Sequence, residues 1–207
     1  MDRSRGPRST TTLSLASRAS EDLRQIRATM ERAASFTALP GWGGVLMGVV
    51  ALGAAPLAAA TSDRVAWLEL WLTAALVAFV VGGTDMLRKV RAQRASLLSA
   101  PASRFFLTLI PAFFTGACLT LVLARAGEWQ LLPGTWLLAY GSAVFAASVH
   151  TIRGVRWMGA AFLALGAFSL LFPDGRGDVW MALGFGGVHI VYGAWIARRE
   201  MQGVQHG

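Results

Sequence analysis

Six apolar runs divide the chain, at 41–60, 65–83, 105–124, 131–149, 157–173 and 179–197, and the only charged residue inside them is Glu69. Each comes close to the ~20 residues that an α-helix needs to cross the hydrocarbon core of a bilayer. The links are short except for the basic stretch Asp85–Arg104. The pattern predicts an all-α polytopic membrane protein with six transmembrane helices, filling 41–199.

A different pattern precedes the first run. Over residues 20–37, Leu23, Ile26, Met30, Ala33 and Phe36 recur at helical spacing, with Arg24, Arg27, Glu31 and Arg32 elsewhere around the helix. Ser20 suits the N-cap, and Glu21 and Asp22 suit the positive end of the helix dipole. Pro40 and Gly41 stop the element. This predicts an amphipathic interfacial helix. Residues 1–19 are rich in Arg, Ser and Thr and hold no apolar core for a secretory signal, so they are expected to form a disordered cytoplasmic tail. Residues 200–207 form a second, short cytoplasmic tail.

Composition narrows the class. Charged residues make up 14% of the 207, against roughly 25% in soluble domains. A water-facing surface cannot be covered with so few, which excludes a soluble globular enzyme. The single cysteine excludes a disulfide scaffold. The net charge of +8 rests on basic residues that flank the apolar runs, so it reports membrane orientation, and no nucleic-acid partner is expected. Sixteen Lys and Arg fall on the side of the termini and of the second and fourth links, against Arg64, Arg125 and Arg176 opposite. That bias places both termini in the cytoplasm. The tryptophans fall at both ends of the spans, with Trp42, Trp157 and Trp195 inside and Trp67, Trp71, Trp129, Trp136 and Trp180 outside.

Shifting the chain by 113 residues lays 51–70 on 164–183 with Ala51/Ala164, Leu52/Leu165, Gly53/Gly166 and Trp67/Trp180 among the identities. A parallel repeat of the first and last helix pairs explains the match, and so does an Ala/Leu-rich composition.

Few residues offer chemistry. His189 lies about ten residues into the last run, where a polar group is costly. It either serves a function or hydrogen-bonds a neighbouring helix brought close by Gly184, Gly186, Gly187 and Gly193. Depth counting puts Cys118, Tyr140 and His189 at one level of the bundle. One Cys and one His are too few to hold a metal. Glu69 lies one turn inside the outer end of its span, where it serves ion entry, reaches the interface beside Trp67 and Trp71, or pairs with an outer Arg. Asp85 and His150 sit at inner helix ends within reach of solvent. Pro56 and Pro111 interrupt the backbone bonding of their spans. Gly44-x-x-x-Gly48, continued by Ala51 and Ala55, gives the first span a small-residue strip expected to pack within the chain. There is no phosphate loop, no His-Glu-x-x-His and no Gly-x-Ser-x-Gly, so no enzymatic activity, cofactor or metal is expected.

Two stretches carry resemblances. LRQIRATMERAASFTALPGWG at 23–43 resembles the opening of a family of small, uncharacterised six-span bacterial membrane proteins with an LRxIRxTMERAxxFTAxPGWG start. The hairpin at 159–199, a small-residue helix followed by a Gly-rich one, is similar to the HdeD-like membrane proteins, six-span proteins linked in some bacteria to acid stress. Both resemblances imply architecture and the bacterial inner membrane; neither implies a site residue. The expected function is a structural, stress-related or regulatory membrane protein, in contact with the lipid bilayer and, through 20–37 and 85–104, with a cytoplasmic partner. The alternative is a small transporter or channel using the level of Cys118, Tyr140 and His189.

Overall fold

A computed structural model describes residues 20–24, 26, 37–92, 100–152, 154–173 and 176–204. Residues 20–24 and 26 are helical, Arg24 lies 3.7 Å from Glu21 one turn back, and Leu23 and Ile26 are exposed. Thr37 is already outside any helix. The rest of the amphipathic helix expected at 20–37 and the expected tail at 1–19 lie outside the described residues.

Six helical segments are long and apolar enough to cross a membrane. We label them α1 (Trp42–Ala59), α2 (Arg64–Ala92), α3 (Ala100–Ala126), α4 (Leu132–Ala147), α5 (Gly154–Leu171) and α6, which starts as Gly177–Met181, passes through the π-helical Ala182–Val188 and continues as His189–Val204. The described residues are all-α, and the chain is a multi-pass membrane protein.

Local chemistry sets the ends. Asp63 caps α2, its Oδ1 accepting from the Ala66 N–H at 2.7 Å. At the end of α3, Gly127 adopts φ +81°, the left-handed conformation that glycine tolerates. The Glu128 N–H then donates to the Leu123 carbonyl and the Gly127 N–H to that of Ala124, closing a Schellman cap. The helices run through Pro56 and Pro111 without ending.

The basic stretch expected as a long link is largely helix. α2 continues through Arg88, Lys89 and Arg91 to Ala92, and α3 begins at Ala100; residues 93–99 lie outside the described set. Nothing in 84–92 breaks a helix, and cations suit its C-terminal turn.

Two small-residue seams hold the bundle. In the first, α4 packs along α5 through Gly134, Gly141, Gly159 and Gly166. A Cβ on Gly134 would lie 3.0 Å from the Gly166 carbonyl oxygen, and one on Gly166 equally close to that of Gly134. In the second, the Gly44/Gly48 strip of α1 meets α6, so the strip is spent within the chain. A Cβ on Gly48 would stand 2.6 Å from the Gly186 carbonyl oxygen, and one on Gly193 would stand 2.6 Å from the Val45 nitrogen. Such contacts are how helices associate in lipid, where apolar burial gives no drive.

α1 also packs on α2, and α3 on α4, but α2 and α3 scarcely touch. They are the bundle's margin: 11% and 6% of their spans are buried, against 50% around α4. The 113-residue offset survives in the helix starts at Arg64 and Gly177. It does not survive in the packing: α1 lies along α2, whereas α5 packs chiefly on α4, and the π segment of α6 faces uninterrupted α-helix in α2.

Gly48→Ala should lower stability in detergent by about 1–3 kcal/mol, the usual cost of overpacking, because the obstacle is backbone. Gly53→Ala, with nothing within 4 Å of the added carbon, should change it by less than about 0.5 kcal/mol. Thermal unfolding followed by size exclusion compares the two.

Candidate functional site

The interior polar chemistry gathers at one pair of residues. Tyr140 on α4 and His189 on α6 meet with the Tyr140 hydroxyl 2.9 Å from His189 Nε2. His189 is 5% exposed and Phe162 fully buried. The rings of Tyr140, Phe162, Phe185 and His189 form one cluster, with Tyr140 edge-on to Phe162 at 4.8 Å and His189 edge-on to Phe162 at 5.3 Å. Phe185 stacks on His189 at 6.2 Å. The i, i+4 spacing of Phe185 and His189 puts both on one face of α6, and the π-helical Ala182–Val188 leads into that face. Wider turns shift the register of the helix just before His189, and Gly184, Gly186 and Gly187 make that shift sterically cheap.

Of the residues expected at one level, two therefore meet and one does not. Cys118 is exposed. Its neighbours Gly116 and Thr120 face α4, Thr120 Oγ1 accepting from Trp136 Nε1 at 2.8 Å. Cys118, two residues from each, sits on the opposite side of α3, because depth along a span says nothing about azimuth. Glu69 is exposed and makes no ion pair or hydrogen bond among the described residues. It pairs with no outer arginine there; Arg64 instead donates to the Gly127 carbonyl.

The pair forms part of the wall of a cavity of about 340 Å³ between α2 and α3, the two helices that fail to pack. Its other walls are almost wholly apolar, with Ala74, Ala78, Ala112 and Ala139 among the small residues and Trp71, Trp136 and Phe185 among the aromatic ones. Leu72, Phe79, Phe113 and Ala117 line it and are also exposed, so it opens sideways at mid-span. No group of three or more His, Cys, Asp or Glu side chains converges among the described residues.

Two polar clamps, neither foreseen from the sequence, hold α2 to α6 on either side of this cavity. At one end Asp178 Oδ1 accepts from the indole N–H groups of both Trp67 and Trp71, each at 2.8 Å. The i, i+4 spacing of the two tryptophans puts them on one face of α2. At the other end Lys89 Nζ donates to Glu200 Oε1 at 2.6 Å and to the Leu39 carbonyl at 2.7 Å, and lies 3.4 Å from Asp85 Oδ2. Asp85 in turn accepts from the Gly43 N–H at 3.2 Å, satisfying a free donor at the start of α1. It is thus a structural cap, more than the solvated helix-end residue expected. The one lysine among nineteen basic residues stands where a compact ammonium with three donors meets three oxygens.

Compared with known proteins, the chain matches no family model, no curated protein and no solved structure.

Hydrogen bonds to a charged group contribute about 1.5–3 kcal/mol, so Asp178→Asn should weaken the first clamp measurably. Combined with Trp67→Phe it should cost less than the two separate losses together, in an unfolding double-mutant cycle. At the other end, Lys89→Arg should lower the unfolding midpoint nearly as far as Lys89→Met, because the planar guanidinium cannot reproduce the three-way contact.

Proposed function

We propose that this is a small, non-enzymatic protein of the bacterial cytoplasmic membrane, of structural, stress-related or regulatory type, which does not conduct. Both termini lie in the cytoplasm, as the sixteen-to-three charge bias indicates. The observation that carries the reading is the nature of the bundle interior. Its helices meet through glycine and alanine seams and an aromatic core, and its clamps lie near the span ends. A conduit needs polar groups in succession across the span. Here the mid-span supplies the Tyr140–His189 pair, beside a cavity that opens sideways.

In this reading the cytoplasmic face supplies the contacts with other molecules. Residues 20–37 and 85–104 carry eight of the sixteen basic residues there. Within 20–37, Leu23 and Ile26 are exposed apolar side chains. Anionic lipid or an acidic protein segment is the complement of such a surface.

The small-transporter alternative is separated by flux. Purified protein in liposomes should leak protons and potassium no faster than protein-free liposomes. A leak abolished by His189→Gln, in a variant that still purifies as a folded bundle, would overturn the proposal. Reporter fusions at either terminus should be active only in the cytoplasm.

A further inference from the structure

The slot between α2 and α3 has its mouth on the side of the bundle. Leu72, Ala75 and Phe79 of α2 and Phe113 and Ala117 of α3 line it and are exposed, so they form the rims. Toward Arg64, the Trp67 ring of α2 stacks on Trp136 of α4 at 5.8 Å and bridges those two helices. Toward the other end, Met86 and Val90 of α2 belong to one apolar cluster with Phe105 and Phe106 of α3. Ala75 marks the depth of the mouth. It lies eleven residues along α2 from Arg64, about 16 Å at ~1.5 Å per residue, which is half-way through a hydrocarbon core about 30 Å thick. At that depth a bilayer offers the ends of its acyl chains.

The polar groups around the slot are engaged within the chain. Trp71 donates to Asp178. Trp136 donates to Thr120, whose own hydroxyl donates to the Gly116 carbonyl at 2.7 Å. Tyr140 and His189 hydrogen-bond each other, whichever of the two is the donor. His189 Nδ1 has no partner, but the atom is buried, so an occupant of the slot does not reach it. The walls therefore ask for no polar ligand.

Other ways of filling the space fail on physical grounds. An ordered water needs roughly two to four polar partners, and the slot has none to spare. A vacancy would leave the walls without dispersion contacts on one side. Nor are the helices free to close on each other, since α2 is clamped to α6 through Asp178 and Lys89, and α3 is tied to α4 through Thr120 and Trp136. A second copy of the chain meeting this face about a two-fold axis would set slot against slot and fill neither. The volume of about 340 Å³ falls at the lower end of the range for small-molecule sites, about 300–1,000 Å³.

We propose that the slot binds the terminal segment of a lipid acyl chain, which enters sideways from the membrane interior and lies between α2 and α3 as the packing element those helices lack. The inference rests on the membrane-spanning architecture alone and holds whether or not the bundle conducts.

The test uses the full chain in nanodiscs doped with a phosphatidylcholine that carries a diazirine at the end of one acyl chain. Adducts are assigned residue by residue by tandem mass spectrometry. Leu76, Val77, Ile110 and Phe114 are exposed near the same depth without lining the slot, and report ordinary lipid contact. Ala74, Ala78 and Ala112 line the slot and are half-buried. These three should carry adducts at least half as often as the outer four. Ala78→Phe, which puts a ring into the slot, should lower the adducts at Ala74 and Ala112 at least fivefold and leave the outer four unchanged. Adducts confined to the outer residues, or slot adducts undiminished by Ala78→Phe, would overturn the proposal. So would copy-to-copy cross-links through 72–79, in nanodiscs holding two copies, with the slot residues unlabelled by lipid. If Ala78→Phe fails to fold, Ala74→Leu takes its place and is read at Ala78 and Ala112.

Discussion

Backbone-to-backbone approach governs this structure. Lipid removes the usual reason for helices to associate, since a leucine is as well solvated by acyl chains as by another helix. What remains is contact at a distance short enough for dispersion to accumulate over many atoms. Gly48 against Gly186, and Gly134 against Gly166, bring main chain against main chain. Once α1 is locked to α6 and α4 to α5, the other helices take the positions left to them. α2 lies against α1, α3 lies against α4, and the two face each other across a gap.

That gap is where the polar and apolar parts of the design meet. α2 is fastened to α6 by Asp178 at one end and by Lys89 and Glu200 at the other. Between the clamps, half of the α2 residues that line the gap are alanines, Ala74, Ala75 and Ala78, with short side chains. A leucine or phenylalanine at 74, 75 or 78 would fill the space, and the sequence has alanine at all three. The slot is therefore a product of side-chain length as much as of helix placement. The Tyr140–His189 pair lines the slot, to which α3 contributes the small residues Ala112, Gly116 and Ala117 beside Phe113 and Thr120.

The sequence made the architecture legible and the site only in part. Apolar runs and small-residue strips are local patterns, so six spans and the inward-facing Gly44/Gly48 strip could be read directly. His189 stood out because an imidazole at mid-span is costly. Tyr140 is reached by counting depth, and the same count puts Cys118 at that level without fixing the side of α3 it takes, since a span has a circumference as well as a length; Cys118 is exposed. The partners of Asp178 lie 107 and 111 positions away, and Lys89 and Glu200 are also 111 apart. No spacing rule reaches that far. The i, i+4 tryptophans were a usable hint of a shared acceptor, and the lone lysine among arginines was another. The π segment left only its glycines as a sign, and glycines at 184, 186 and 187 read equally as packing residues.

Chain order gives the two seams different histories during synthesis. The α4–α5 seam joins neighbours across a short turn and is available as soon as both have entered the membrane. The α1–α6 seam joins the first span to the last, with Gly48 and Gly186 separated by most of the chain. Through the insertion of four further helices, the glycine strip of α1 has no partner within its own chain. Bundle closure thus waits on the final span, the arrangement of high contact order that slows folding. A ribosome stalled before residue 177 leaves the membrane with an open chain whose stickiest face is turned to lipid.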